Sequence, residues 1–160
     1  MARHSVAAVA QWAAIPPDAA LNNAMPHLVI LYTPQLDREC DMPALCRKLA
    51  DTMLTVKDES GAQVFPTAGT RVLAYPAANH AVADGSGDHA FAYFNVRRAK
   101  GRSAAVHKAV GEALASTIRE QLAPLLAARP LGLTLQVDEG HEVFDAKIGN
   151  LHALFAKAHT

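Results

Sequence analysis

From Pro26 onward the apolar residues of this chain change period in a fixed order, two, then 3.6, then two, and that order occurs twice. It constrains the fold strongly, because period two belongs to strands and period 3.6 to helices. The first strand opens at Pro26 and carries Leu28-Val29-Ile30-Leu31, apolar on both faces, which suits a strand in the middle of a sheet. Asp41 can cap a helix with Pro43 in its first turn. Met42, Leu45, Leu49, Met53 and Val56 then recur at helical spacing until Ser60-Gly61 ends the element. A second strand runs over 70–75, and Pro76 makes its far end a poor central strand. After the turn Asp84-Gly85-Ser86-Gly87-Asp88, residues 89–97 alternate. Ala90, Ala92, Phe94 and Val96 take one side, Phe91, Tyr93, Asn95 and Arg97 the other, in a strand expected to run antiparallel to the second. Ser103 caps a long helix with the stripe Val106, Val110, Leu114, Ile118, Leu122 and Leu125, which Pro124 should kink or shorten. Leu131, Leu133, Leu135 and Val137 give a fourth strand one apolar face, and 150–155 read as a short closing element.

Two strand–helix–strand units side by side predict an α/β (α+β) fold, a four-stranded sheet with two helices on one face. A chain of 160 residues suits one domain and has no third layer for the other face, so association with further copies is expected to cover it. Residues 1–24 differ in character from the rest. They are alanine-rich, broken by Pro16-Pro17 and closed by the turn-prone Asn22-Asn23. They read as an N-terminal extension that arises from start-site choice, ahead of a domain at 25–160; the alternative is a retained segment. Gln11 and the Pro16-Pro17-Asp18 stretch make a poor signal peptide, and no apolar run approaches the roughly 20 residues of a membrane span.

Fifteen basic and fifteen acidic residues balance, with no basic stripe, so neither nucleic acid nor membrane is an expected partner. Cys40 and Cys46 fit no zinc or disulfide spacing and read as reduced thiols of a cytoplasmic protein. Nucleophile-elbow, phosphate-loop and His-Glu-x-x-His patterns are lacking. Asp84, Asp88 and His89 lie close in sequence, but the turn accounts for the aspartates and a hard metal needs more oxygen ligands.

Pro26 is the distinctive residue. If translation starts at Met25 and that Met is trimmed, the chain begins with a secondary amine. An α-amino group has a reference pKa of about 8, so a modest downward push makes it a base at neutral pH. Burial and nearby guanidinium groups both push that way. Arg71 stands at the start of the second strand, and Arg102 just ahead of the long helix, where an anion is favoured. Either could hold a substrate carboxylate in a bidentate contact, or be a solvated surface residue.

Five motifs in order carry a resemblance. They are Met25-Pro26-His27-Leu28-Val29-Ile30, Phe65-Pro66-x-Ala68-Gly69-x-Arg71, Ala83-Asp84-Gly85 with Asp88-His89-Ala90-Phe91, Gly101-Arg102-Ser103, and Asn150-Leu151-His152-Ala153-Leu154-Phe155. Over 25–156 the chain resembles the 5-carboxymethyl-2-hydroxymuconate isomerases of the tautomerase superfamily. The resemblance implies a homotrimer of β-α-β-β-α-β subunits with Pro26 as the catalytic base. It implies Arg71 and Arg102 as the residues that bind substrate carboxylates, and no metal or organic cofactor. The implied reaction moves a proton along a conjugated 2-hydroxymuconate, a small di- or tricarboxylate, in homoprotocatechuate degradation. Leu31 departs from the family pattern, which carries a Glu near this point of the first strand. A Pro26 still joined to Met25 by a peptide bond departs further, since its nitrogen has no basic lone pair. In that case the scaffold would serve as a ligand-binding or assembly module, or another base would act, with His27 and Tyr32 the nearest substitutes.

Overall fold

The computed structural model describes residues 26–140 and 151–156; Met25, Asn150 and the extension at 1–24 lie outside the described residues. Strand β1 (His27–Tyr32) is followed by a short helix α1 (Leu36–Glu39) and by α2 (Met42–Thr55). A 3-10 turn at Thr67–Gly69 leads into β2 (Arg71–Pro76), and β3 (Ala90–Ala99), α3 (Ala104–Ala128), β4 (Leu131–Gly140) and α4 (Leu151–Ala156) complete the order.

The sheet order is β2-β1-β3-β4. β1 is internal, as its two-sided apolar run requires, parallel to β2 and antiparallel to β3, and β3 is parallel to β4. β2 lies at an edge, where Pro76 removes no ladder hydrogen bond that the sheet needs. The second and third strands do run in opposite directions, but they do not pair: β1 lies between them. The reason is the connection at 77–89, far longer than the two to five residues of a hairpin loop.

Both predicted caps form. Asp41 accepts the Ala44 amide at 2.9 Å, and Ser103 accepts the Val106 amide at 3.2 Å, each satisfying a helix N–H that has no partner within its own helix. The helical stripes meet the sheet as read. Leu45, Leu49 and Met53 of α2, and Val106, Val110, Leu114 and Leu122 of α3, pack with Leu28, Ile30, Phe94 and Val96 in one core. A hydroxyl–hydroxyl bond of 2.9 Å between Thr52 and Thr117 joins the two helices. Pro124 does not shorten α3, which continues to Ala128. Pro124 is exposed, so the carbonyl deprived of its N–H partner can be hydrated.

The helices leave the other sheet face open. Leu31, Leu73 and Tyr75 are 47%, 40% and 50% exposed there. Leu31 thus adds to an apolar surface, flanked in register by Tyr75 of β2 and Tyr93 of β3. Among the described residues, no helix is long and apolar enough to cross a membrane.

Candidate active site

The strand directions gather the singled-out residues at one end of the sheet. β1 and β2 begin there and β3 and β4 end there, because His27 pairs with both Arg71 and Arg97, and Arg97 with Asp138. α3 also begins just after β3, at Ala104. Pro26 stands at this end, fully buried, immediately ahead of β1.

Arg71 is delivered by the segment that precedes it. Val64 and Phe65 are buried in the core, and Pro66 starts the 3-10 turn, whose Ala68 and Gly69 are buried as well. The Arg71 Nη1 donates to the Gly69 carbonyl at 2.9 Å, which folds the side chain back over its own turn. α4 packs against this same turn, so the closing motif belongs to the site's neighbourhood.

Arg102 follows Gly101, whose φ of 102° lies where an L side chain is strained. The Arg102 Nη1 donates to Asp58 Oδ2 at 3.2 Å, in a pair whose side chains are 27% and 15% exposed. Asp58 was not singled out from sequence. Its other oxygen accepts from the Ser60 amide and hydroxyl and from the Ala62 amide, at 3.0, 2.6 and 3.0 Å. Those bonds, the Ser60 hydroxyl first, hold its carboxyl below the ordinary range, and Arg102 adds to the effect. The pattern Asp58-x-Ser60-Gly61 is the signal that marks such a side-chain-closed turn. Beside it, the Ser103 hydroxyl donates to Glu59.

Arg98 is a second residue that sequence reading passed over. It looks like one more polar position of β3, yet it is buried, on the same face as Val96 and Phe94. Its Nη2 lies 3.9 Å from Glu139 Oε1, and the His107 Nε2 lies 2.9 Å from that same oxygen without hydrogen-bond geometry.

The two substitute bases fare differently. The Tyr32 hydroxyl sits at the far end of β1 and donates to Asp37 at 2.5 Å; burial and then that carboxylate push its pKa up to about 12. It is no base at neutral pH. His27 alternates to the opposite face from Pro26, and burial, then Arg71, then Arg97 lower its pKa.

The turn at 84–89 lies at the other end of the sheet. Asp84 accepts the Ser86 amide at 3.0 Å, and Asp88 accepts the Gln35 side chain at 2.9 Å. Arg129 lies 3.1 Å from Asp88 Oδ2 and 2.6 Å from Glu39, tying turn, α1 and the α3–β4 junction together. This motif therefore secures the fold. Among the described residues, no group of three or more His, Cys, Asp or Glu could hold a metal ion.

Against known proteins, the family model described as 5-carboxymethyl-2-hydroxymuconate isomerase matches residues 26–155. The 5-carboxymethyl-2-hydroxymuconate Delta-isomerase of Escherichia coli is 30% identical over 131 residues, which are 82% of this chain and 99% of that protein. A crystal structure of a 5-carboxymethyl-2-hydroxymuconate delta-isomerase is 57% identical with a TM-score of 0.83, covering 88% of this chain and 99% of that one. The 5-carboxymethyl-2-hydroxymuconate isomerase of Deinococcus radiodurans R1 is 32% identical with a TM-score of 0.73, over 83% and 96% of the two chains.

Proposed function

The chain belongs to the 5-carboxymethyl-2-hydroxymuconate isomerase family of the tautomerase superfamily, and on that footing we propose that it isomerises 5-carboxymethyl-2-hydroxymuconate with the amine of a processed Pro26 as its base. The observation that carries this reading is the position of Pro26. It is fully buried at the sheet end where Arg71 and Arg102 also stand, and the family match begins at this same residue. Residues 1–24 are then removed or never translated, and 25–160 supply the domain, with Met25 trimmed.

The chemistry is a net relocation of one proton. The Pro26 nitrogen takes the proton of the 2-hydroxyl, the O–H electrons form the C2 carbonyl, and the conjugated double bonds shift. A proton then passes from the Pro26 ammonium to C5, leaving an unsaturated 2-oxo acid and the free amine. Arg71 and Arg102 bind the carboxylates and stabilise charge on the dienolate oxygen. No cofactor enters this scheme. The reaction fits the catabolism of aromatic rings, in the cytoplasm, where the free thiols of Cys40 and Cys46 stay reduced.

Turnover in deuterated water tests the reaction. The protein beginning at Pro26 is expected to bleach the absorbance of the conjugated enol and to place deuterium at C5 of the product, read by NMR. No bleaching, or deuterium at C3 alone, would count against this reaction.

The working assembly is a homotrimer, the state that the family resemblance implies. The uncovered apolar face around Leu31, Leu73 and Tyr75 supports association, since a patch of this kind on a sheet is an interface in waiting. Mass measurement in solution should give three copies, and Leu73→Glu should release monomers. A monomeric wild-type protein at micromolar concentration would contradict the assembly.

A further inference from the structure

The scheme above leaves Arg98 without a task, although its placement is costly. It is 4% exposed, and neither Nη1 nor Nη2 has a hydrogen-bond partner among the described residues. A buried guanidinium in that condition destabilises the fold unless something else compensates. Glu139 compensates only in part, at 3.9 Å from Nη2.

The register explains what stands near it. Leu28 pairs with Val96 and His27 with Arg97, the last pair of this ladder, and Pro26 and Arg98 are the next residues in line at that end. Alternation puts both on the helix-facing side, with Leu28 and Val96, each fully buried. Residues directly opposed across antiparallel strands hold their Cβ atoms about 4.5–5.5 Å apart. Pro26 is fully buried as well, so charge at either residue is felt through little water.

We propose that Arg98 is a positioning residue for the base, whose buried positive charge keeps the amine of a processed Pro26 unprotonated and ready to accept a proton. The inference rests on the reading of Pro26 as a free amine. The surrounding charges leave room for it. From the segment after α2, Asp58 is engaged by Arg102 at 3.2 Å and Glu59 by Ser103. From β4, Asp138 is engaged by Asn95 and Gln136, each at 2.7 Å, and Glu139 is shared with His107 of α3. Arg71 of β2 and Arg97 of β3 lie on the other sheet face beside His27. Arg98 itself has Glu139 as its one carboxylate partner among the described residues, at 3.9 Å. Burial also presses on Arg98 itself, lowering its pKa from the guanidinium range, while Glu139 opposes this and Arg102 adds to it.

The test is a 15N NMR titration of the proline nitrogen in protein that begins at Pro26. The family match begins at this same residue and runs to 155. Arg98→Met is expected to raise the amine midpoint by about one pH unit, as loss of a near, partly matched cation should. Arg98→Lys should stay within a few tenths of wild type, and Glu139→Gln should move the midpoint down. A purely structural Arg98 would leave the midpoint where it is, and an unmoved midpoint in both Arg98→Met and Glu139→Gln would overturn the proposal. Should Arg98→Met fail to fold, the direction of the Glu139→Gln shift decides alone. Turnover is scored separately: a moved midpoint in a protein without isomerase activity supports the role of Arg98 and overturns the substrate reading, and turnover with an unmoved midpoint does the reverse.

Discussion

A chain that keeps residues 1–24 joined to Pro26 is expected to isomerise the enol roughly 10²–10⁴-fold more slowly than one that begins at Pro26, the range that a general base contributes. The cause is electronic. In a peptide bond the nitrogen lone pair is delocalised into the carbonyl, so an acylated Pro26 has nothing to offer a proton. Released, the same nitrogen is a secondary amine on a rigid ring, held in one direction by a residue buried at the start of β1. The chemical change falls on the Pro26 nitrogen, so substrate affinity should change far less than kcat. Equal kcat in the two forms would remove Pro26 from the mechanism and turn attention to His27. A form that binds substrate yet never turns it over, even when trimmed, would favour a ligand-binding module on this scaffold.

The second large effect concerns the arginines. Arg71→Ala and Arg102→Ala should each weaken kcat/KM by about 2–4 kcal/mol, as expected for donors aimed at charge that develops in the transition state. The two losses should differ in character. Removing Arg102 also strands Asp58, whose side chain is only 15% exposed, and an unmatched carboxylate there would repel a carboxylate substrate. Asp58→Asn added to Arg102→Ala should therefore restore part of the activity. Arg71→Ala removes instead the bond to the Gly69 carbonyl that folds the side chain over the 3-10 turn. Steady-state kinetics of the three variants decide the matter, and unchanged kinetics in both single variants would return the arginines to a solvated surface role.

Much of this was legible in the residues because it is local. The alternation of 90–96, the stripe Val106–Val110–Leu114 and the caps at Asp41 and Ser103 each depend on neighbours a few positions away, and each forms as read. The insertion of β1 between β2 and β3 depends on contacts distant in sequence, which no period encodes. Pro124 does not shorten α3, because a helix tolerates proline where the orphaned carbonyl meets water. Of the proposed site, Pro26, Arg71 and Arg102 stand out by residue type and position. Asp58 did not, since its partner Arg102 is 44 residues away. Arg98 did not either, because an arginine at the end of a strand is ordinarily a surface residue. The turn at 84–89 drew attention for its acids and His89, and they serve packing at the opposite end of the sheet.

The most direct test of the account is the identity of the first residue in the active protein. Intact mass and N-terminal peptide mapping of isomerase-active protein from its native host should find Pro26 at the terminus with an unmodified amine. An active preparation in which the bond between Met25 and Pro26 is intact throughout would contradict the proline-base mechanism.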